Sequence, residues 1–476
     1  MRNRCRSFGS CGPPVLLFLL AAPLSEGFAR ADPAPEGTPP TAPAAPETKQ
    51  ASAPAPSYED LLRRIEALEK AEADRAAPPV QAPSTAGAFT QNRFNPDISI
   101  ILDLAGVATN VDDKTAQNLA LPGFLDKSDR SAMLRGINLD YLELAFNIAV
   151  DPYFDFFAVT TVDFTGIDIE EAYIDSRQLP FGFQLRIGKF FSAFGRLNAM
   201  HQHVWDFYDT PLVYEGFIGM EGLKNPGARL SWTAPVDFLL QFNAEVFQGV
   251  SDTSPTFNAV GYDLTAVNGT TLSAKAPIVP ALYVGSVKSS FDVGKSVFLV
   301  GASAMYGHST QTRIEGLPTD MAFSAPGTVL YDVELTYKYL LSSYRSITWQ
   351  SEYIGRVSSG DLALASDGLI HHESKNQGGF YSQLIWRFDE PGQWRVGARF
   401  DLLTQNSVTI DGVDQQLENM LARYTAMLEF SPTEFSRFRL QYAFDRSRYF
   451  DNVRRDVHEV LLQVNIAVGP HGAHSF

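Results

Sequence analysis

The sequence predicts an all-β fold, a transmembrane antiparallel β-barrel of about sixteen strands over residues 95–476 with a short N-terminal periplasmic helix ahead of it. Three observations predict this. From Asp97 onward, runs with a two-residue hydrophobic period follow one another with no helical run between them. The connections between these runs are by turns very short and very long, as in barrels with tight periplasmic turns and larger outer loops. Finally, the chain is 45% hydrophobic with 34 Phe and 18 Tyr, yet past its first thirty residues it has no apolar run long enough for a transmembrane helix.

The elements follow in chain order. Residues 1–31 read as a secretory signal: Arg2, Arg4 and Arg6 form a basic start, 15–20 an apolar core, and Ala29-Arg30-Ala31 a small-residue cleavage site. Cys5 and Cys11 both precede that core, so the mature chain has no thiol for a disulfide or a Cys-based metal site. Removing the segment takes away four Arg and one Glu and moves the formal charge from −16 to −19, which disfavours nucleic acid as a partner. Residues 32–56 form a Pro/Ala-rich linker and 76–94 a second one. Between them, 57–75 reads as a short amphipathic or coiled-coil helix, capped by Ser57 and Asp60, with Tyr58, Leu61, Ile65 and Leu68 on one stripe. Its seam is under two heptads. It would associate only at the high local concentration of a barrel trimer, or else lie as a solvated helix on the barrel or peptidoglycan.

In the barrel region, tight turns are expected at 150–152, 175–180, 234–235, 293–295, 342–343, 389–392 and 431–433, each carrying Gly, Pro, Asp or Ser. Long outer loops are expected at 109–132, 190–222, 248–280, 307–327, 357–377, 404–420 and 447–456, with one tight connection at Thr165-Gly166. The strands between them would be about 9–12 residues long, enough to cross a thin bilayer when tilted. Leu142, Leu144, Phe146, Ile148 and Val150 alternate with Glu143, Ala145, Asn147 and Ala149, and Phe154, Phe156, Val162 and Phe164 with Asp155, Thr161 and Asp163. Alternate side chains point to opposite faces, so the first sets suit lipid and the second a wet lumen. A β-sandwich shares this period; the loop asymmetry and the strand number decide for the barrel. Aromatics such as Phe154, Tyr337, Tyr339, Phe438, Tyr442 and Tyr449 lie toward strand ends, where interfacial girdles belong.

The third long loop, within 187–232, carries the chemistry. It holds Lys189, Arg196, Asp206, Asp209 and Glu215, which would line a constriction if the loop folds inward as the third loop does in the porins that its Gly188-Lys189-Phe190 and Phe194-Gly195 segment resembles. His201 and His203 flank one residue of the same loop, and an i,i+2 pair on an extended segment puts both rings on one side; with Asp206 they form a candidate metal set. His371 and His372, and His471 and His474 in the tail, are further candidates, since imidazole and carboxylate suit Zn(II), Ni(II) or Cu(II). The bland alternative for each is an exposed loop histidine.

The Gly188-Lys189-Phe190 and Phe194-Gly195 segment resembles the third loop of the phosphate-selective porin superfamily, although the dense Lys/Arg ladder of its phosphate-specific members is missing: Arg186, Lys189, Arg196 and Lys224 are scattered among Asp206, Asp209, Glu215 and Glu221. The opening at 95–103, the loop stretch at 198–207 and the ending at 469–476 are similar to outer-membrane proteins labelled zinc-regulated TonB-dependent receptors. That resemblance implies a porin-like barrel linked to zinc. The receptor half of the label does not follow, because a plugged receptor needs about 22 strands. No G-x-S-x-G, H-E-x-x-H, Walker or Rossmann pattern is present, so no enzyme is expected. The expectation is a bacterial outer-membrane channel for passive diffusion of small solutes or ions, a homotrimer in contact with outer-membrane lipid, requiring no cofactor and with zinc as the metal its histidines would admit. The competing reading is a metal-binding receptor or adhesin that does not conduct.

Overall fold

A computed structural model describes residues 96–469 apart from 125–133, 165, 178, 252–253 and 315. The expectations for 1–31, 32–56, 57–75 and 76–94, and for His471 and His474, lie outside the described residues.

Seventeen strands form one antiparallel sheet; sixteen of them pass round a closed barrel and the other is the two-residue stub Val413–Asp414. In chain order the barrel strands are β1 Asp97–Thr109, β2 Gly136–Ala149, β3 Phe154–Val162, β4 Ile167–Ser176, β5 Phe183–Phe191, β6 Lys224–Thr233, β7 Leu239–Phe247 and β8 Leu282–Val293. They continue as β9 Ser296–Arg313, β10 Met321–Leu340, β11 Ser346–Leu364, β12 Leu369–Arg387, β13 Trp394–Ile410, β14 Leu421–Thr433, β15 Ser436–Phe450 and β16 Val453–Val468. Each pairs with its chain neighbours, and β1 closes the barrel against β16 in a register from Ile100↔Val468 to Thr109↔Glu459. Among the described residues the barrel sheet has no open edge, which is the condition for crossing a hydrocarbon layer with strands.

The two faces invert the pattern of a soluble protein. Along β14, Leu421, Arg423, Thr425, Met427 and Glu429 are buried in the barrel, while Tyr424, Ala426 and Leu428 between them face outward. Glu143 and Ala145 of β2 point inward, as their alternation predicts. Leu230, Phe242, Val246, Val333, Leu384, Leu440 and Leu462 belong to the outer apolar surface. A closed barrel with an apolar exterior and a charged interior places the protein in the bacterial outer membrane.

All seven tight turns lie within a few residues of the positions their turn chemistry predicts. Four of the long loops do not. Strands β9 to β13 run for 18, 20, 19, 19 and 17 residues, well beyond the predicted lengths, and shrink the connections to 314–320, 365–368 and 411–420, while β15 and β16, at 15 and 16 residues, leave only 451–452 between them. The reason is physical: past the lipid layer both faces are wet, the hydrophobic alternation fades, and the backbone ladder continues without it. Asp451 and Asn452, at φ 50° and 59°, make the two-residue turn with both residues left-handed that suits strand twist. By contrast β3 to β7 hold only 9 or 10 residues each, so one side of the wall is low.

Three loops enter the barrel. Leu121 and Phe124 from the β1–β2 loop, Phe194 to Leu223 from the β5–β6 loop and Phe257 from the β7–β8 loop share one buried cluster with Met305, Leu330, Ile354, Tyr381, Leu403 and Leu421 of the wall. Phe124 meets Phe217 edge to face at 5.2 Å.

Candidate functional site

The β5–β6 loop, residues 192–223, crosses the lumen from the β2–β4 wall to the β13–β15 wall. It can turn inward because its first residues replace wall-to-water contacts with wall-to-loop ones. Glu245 of β7 accepts hydrogen bonds from Ser192 Oγ (2.6 Å) and from the Ala193 N–H (3.0 Å). Gly195 follows at φ 61°, where a Cβ would stand 2.4 Å from Tyr214 Oη and 2.7 Å from Glu352 Oε1. Only glycine suits both the angle and the space. Tyr214 donates to Glu352 Oε1 (2.7 Å) and accepts from the Leu197 N–H (3.1 Å), so the loop is tied to β11 through one phenol. The short helix Leu212–Phe217 is buried throughout, and the Leu212 N–H donates to Asp401 of β13 (3.1 Å).

The acids predicted to line the constriction are all in this loop, and each is taken by an arginine of the far wall. Asp206 pairs with Arg395 (2.8 Å), Asp209 with Arg399 (2.6 Å) and Arg423 (3.2 Å), and Glu215 with Arg448 (2.6 Å). Behind them Glu429 takes Arg395 (2.6 Å) and Arg439 (2.9 Å). The ladder of basic residues missing from the loop thus stands on the inner faces of β13, β14 and β15. Its signal in the sequence was the two-residue spacing of Arg437 and Arg439 and the four-residue spacing of Arg395 and Arg399, which puts each pair on one face.

Of the two predicted basic positions, one changes place and one does not. Lys189 is not at the constriction: it lies on the outward parity of β5, at the loop end, 3.5 Å from the exposed Asp168. Arg196 is in the lumen, where its backbone N–H donates to Glu352.

The histidines are sorted as sharply. His201 and His203 do come together, with ring centroids 5.6 Å apart. Asp206 is not with them, because the loop carries it across the lumen to Arg395. Their carboxylates come instead from the near wall. His201 Nε2 is 2.9 Å from Glu171 Oε2, and its Nδ1 is 3.4 Å from Glu170 Oε2 and 3.6 Å from Glu143 Oε2; His203 Nδ1 is 3.3 Å from Glu143 Oε2. Burial pulls the His201 imidazole down, but the carboxylates of Glu170, Glu171 and Glu143 outweigh it and hold it well above its ordinary value. Sequence reading missed these acids because Glu170 and Glu171 are neighbours in a strand and should face opposite ways. A bulge, Val159↔Glu171 followed by Thr160↔Ile169, leaves Glu170 as the extra residue and aims both inward.

His371 and His372 lie on β12, not in a loop, and as strand neighbours they diverge. His371 sits between Asp411 (2.7 Å) and Asp367 (2.9 Å), while His372 meets Ser359 (3.0 Å), so the two do not share a site. A separate group of buried carboxylates, Asp332 and Glu334 of β10 with Glu352 of β11, has ligand atoms within 4.8 Å of one another, near Lys288 (3.5 Å from Glu334).

No family model matches the chain, so the label of a zinc-regulated receptor finds no support there. An uncharacterized protein of Aquifex aeolicus (strain VF5) is 40% identical over 393 residues, which cover 82% of this chain and 81% of that protein. Among solved structures, the chain is similar to the outer membrane channel DcaP of Acinetobacter baumannii, at a TM-score of 0.47 and 14% identity over 80% of this chain and 100% of that one. It is similar also to OmpT, an outer membrane protein of Vibrio cholerae (0.46, 8%, 80% and 100%), and to an anion-selective porin from Comamonas acidovorans (0.43, 10%, 79% and 99%).

Proposed function

This chain belongs to the same family as the Aquifex aeolicus protein, and we propose that it is a channel of narrow bore for the passive diffusion of small solutes or ions across the outer membrane. The observation that carries the reading is the charged lumen of a closed barrel, crossed by one loop that separates an acidic wall from a basic one. Asp103, Asp140, Glu143, Glu170 and Glu171 stand on the β1–β4 side, Arg395, Arg399, Arg423, Arg439 and Arg448 on the β13–β15 side. Asp140 is the extra residue of a bulge in β2 and accepts a hydrogen bond from Tyr208 Oη of the loop (2.9 Å), so the acidic wall also grips it. A lumen lined this way selects by charge and by the width the loop leaves. Because Arg395, Arg399, Arg423 and Arg448 are already paired with loop acids and Arg439 with Glu429 of β14, the acidic wall dominates and a modest cation preference follows.

A receptor or adhesin without conduction is the second reading, and the aromatic cluster formed by the three inward loops favours it. Planar-bilayer recording of the purified full chain separates the two. Small stepwise currents with a reversal potential on the cation side support the channel; clear anion selectivity rejects the charge assignment, and a silent bilayer rejects the channel in favour of the receptor. The homotrimer belongs to the same proposal. Its support is the apolar stripe of Tyr58, Leu61, Ile65 and Leu68 in the sequence, and native mass measurement of wild type against Leu61→Asp/Ile65→Asp tests it.

A further inference from the structure

We propose that His201, His203 and Glu143, with Glu170 in reach, bind one divalent cation of the zinc class and so fasten the inward loop to the β2–β4 wall. This deepens the channel reading and rests on it only for the effect on current, not for binding itself.

Three of the donor-to-donor spacings are those of a tetrahedral site. Four ligand atoms at about 2.0–2.1 Å from a tetrahedral ion lie about 3.3 Å from one another. Here Glu143 Oε2 is 3.3 Å from His203 Nδ1 and 3.6 Å from His201 Nδ1, and Glu170 Oε2 is 3.4 Å from that same His201 nitrogen. The ligand atoms of Glu143, His201 and His203 all lie within 4.8 Å of one another. These three donors are already gathered, and a side-chain rotation of Glu170, whose Oε2 among the described residues meets only His201, would supply the fourth.

The surroundings have the arrangement that a bound ion needs. Glu171 Oε2 lies 2.9 Å from His201 Nε2, the ring nitrogen that faces away from the cluster, where a carboxylate fixes the tautomer and raises the basicity of the ligating nitrogen. Lys224 holds Glu170 by its other oxygen, Oε1, at 3.1 Å, leaving Oε2 to the cluster. Arg437 donates to the His203 carbonyl at 2.6 Å and so anchors the loop segment that carries both rings. Two imidazoles with carboxylates form a borderline donor set that takes Zn(II) or its neighbours in preference to calcium or magnesium. The Asp332, Glu334 and Glu352 group has oxygen donors alone, which makes calcium a useful control.

The test uses the full chain, purified in detergent and stripped with a chelator, titrated with Zn(II) by calorimetry and with Co(II) by visible absorption. Expected are one Zn(II) per chain, four-coordinate Co(II) bands, and no competition by Ca(II). In His201→Gln/His203→Gln the affinity should fall by about 100-fold or more, and in Glu171→Gln by about 10–100-fold, the range for loss of an outer-shell partner. Folding of each variant is read from the heat-dependent migration of the barrel in detergent gels. Wild-type affinity in the folded double variant overturns the proposal, as does a wild type that gives no four-coordinate Co(II) bands. If the double variant does not fold, Glu171→Gln and the Co(II) spectrum decide on the same terms. Bilayer recordings keep the two ideas apart: zinc binding without any conductance sinks only the channel, and conductance without zinc binding sinks only this site.

Discussion

Glu429 shows how much of the lumen depends on single charges. It is 1% exposed and stands 2.6 Å from Arg395, 2.9 Å from Arg439 and 3.6 Å from Arg437. Removing one member of such a group leaves the others desolvated and unopposed, at a cost of about 3–5 kcal/mol. Glu429→Gln should therefore lower the unfolding free energy of the refolded barrel, read from a denaturant titration, by that amount, and a loss under about 1 kcal/mol would mean that water screens the arginines. Gly195 is decisive in a different way. Gly195→Ala puts a methyl group against Tyr214 and Glu352 in a left-handed conformation, costing about 1–3 kcal/mol. The expected outcome is a folded barrel with a loosened loop, seen as faster proteolysis within 192–223 and a larger unit conductance; an unchanged cleavage rate would show that the wall yields instead. Residues of this kind were legible in part. His201 and His203 do meet, but through the 3-10 turn Gln202–Val204 and not the extended segment expected for an i,i+2 pair, while Glu170 and Glu171 could not be read at all, because a bulge is set by tertiary pairing and overrides the alternation that sequence reading relies on.

At the scale of the element, the inward loop is a bridge between two charged walls, and its three acids, together with Asp401, Glu429 and Asp445 of the strands, neutralise the basic one. Replacing the loop acids tests this directly. Asp206→Asn/Asp209→Asn/Glu215→Gln removes three negative charges and leaves Arg395, Arg399, Arg423 and Arg448 facing the lumen. Selectivity should move toward anions, read as a shift of the reversal potential in a salt gradient, and current should rise as the loop lets go of β13 to β15. A variant that keeps the wild-type reversal potential would show that ions do not pass along that wall. The loop's length was legible in the sequence, and its inward course was expected from the resemblance of its Gly188-Lys189-Phe190 and Phe194-Gly195 segment to the third loop of porins. Its partners were not, since Arg395 and Arg423 lie some 190 and 214 residues downstream of Asp206 and Asp209 and meet them only when the barrel closes. Strand lengths failed in the same region for a related reason: hydropathy marks where lipid ends, whereas hydrogen bonding marks where the strand ends.

For the whole molecule, the asymmetry of the connections assigns its orientation. The seven tight turns share one end of the barrel with the start of β1 and the end of β16, and every connection that reaches into the lumen leaves from the other end. Barrels of this kind keep short turns on the periplasmic side and larger loops outside. Strands β9 to β13 are about twice as long as the 9–11 residues a bilayer requires, so their excess must project into water on the loop side. The long β7–β8 connection carries the hairpin Tyr262–Thr265 and Thr271–Ala274, which packs beside Ala322 and Ala363 of the high wall. Peptide tags test the arrangement. A tag within 414–418, or between Asp451 and Asn452, should be labelled by antibody on intact cells. A tag within 342–344 or 389–392 should be labelled only after the outer membrane is permeabilised. Because these sites are exposed turns, the insertions should leave the barrel folded, which its heat-dependent migration checks. Labelling of the short turns on intact cells would invert the barrel, and would place the histidine-bearing loop's entrance on the periplasmic side.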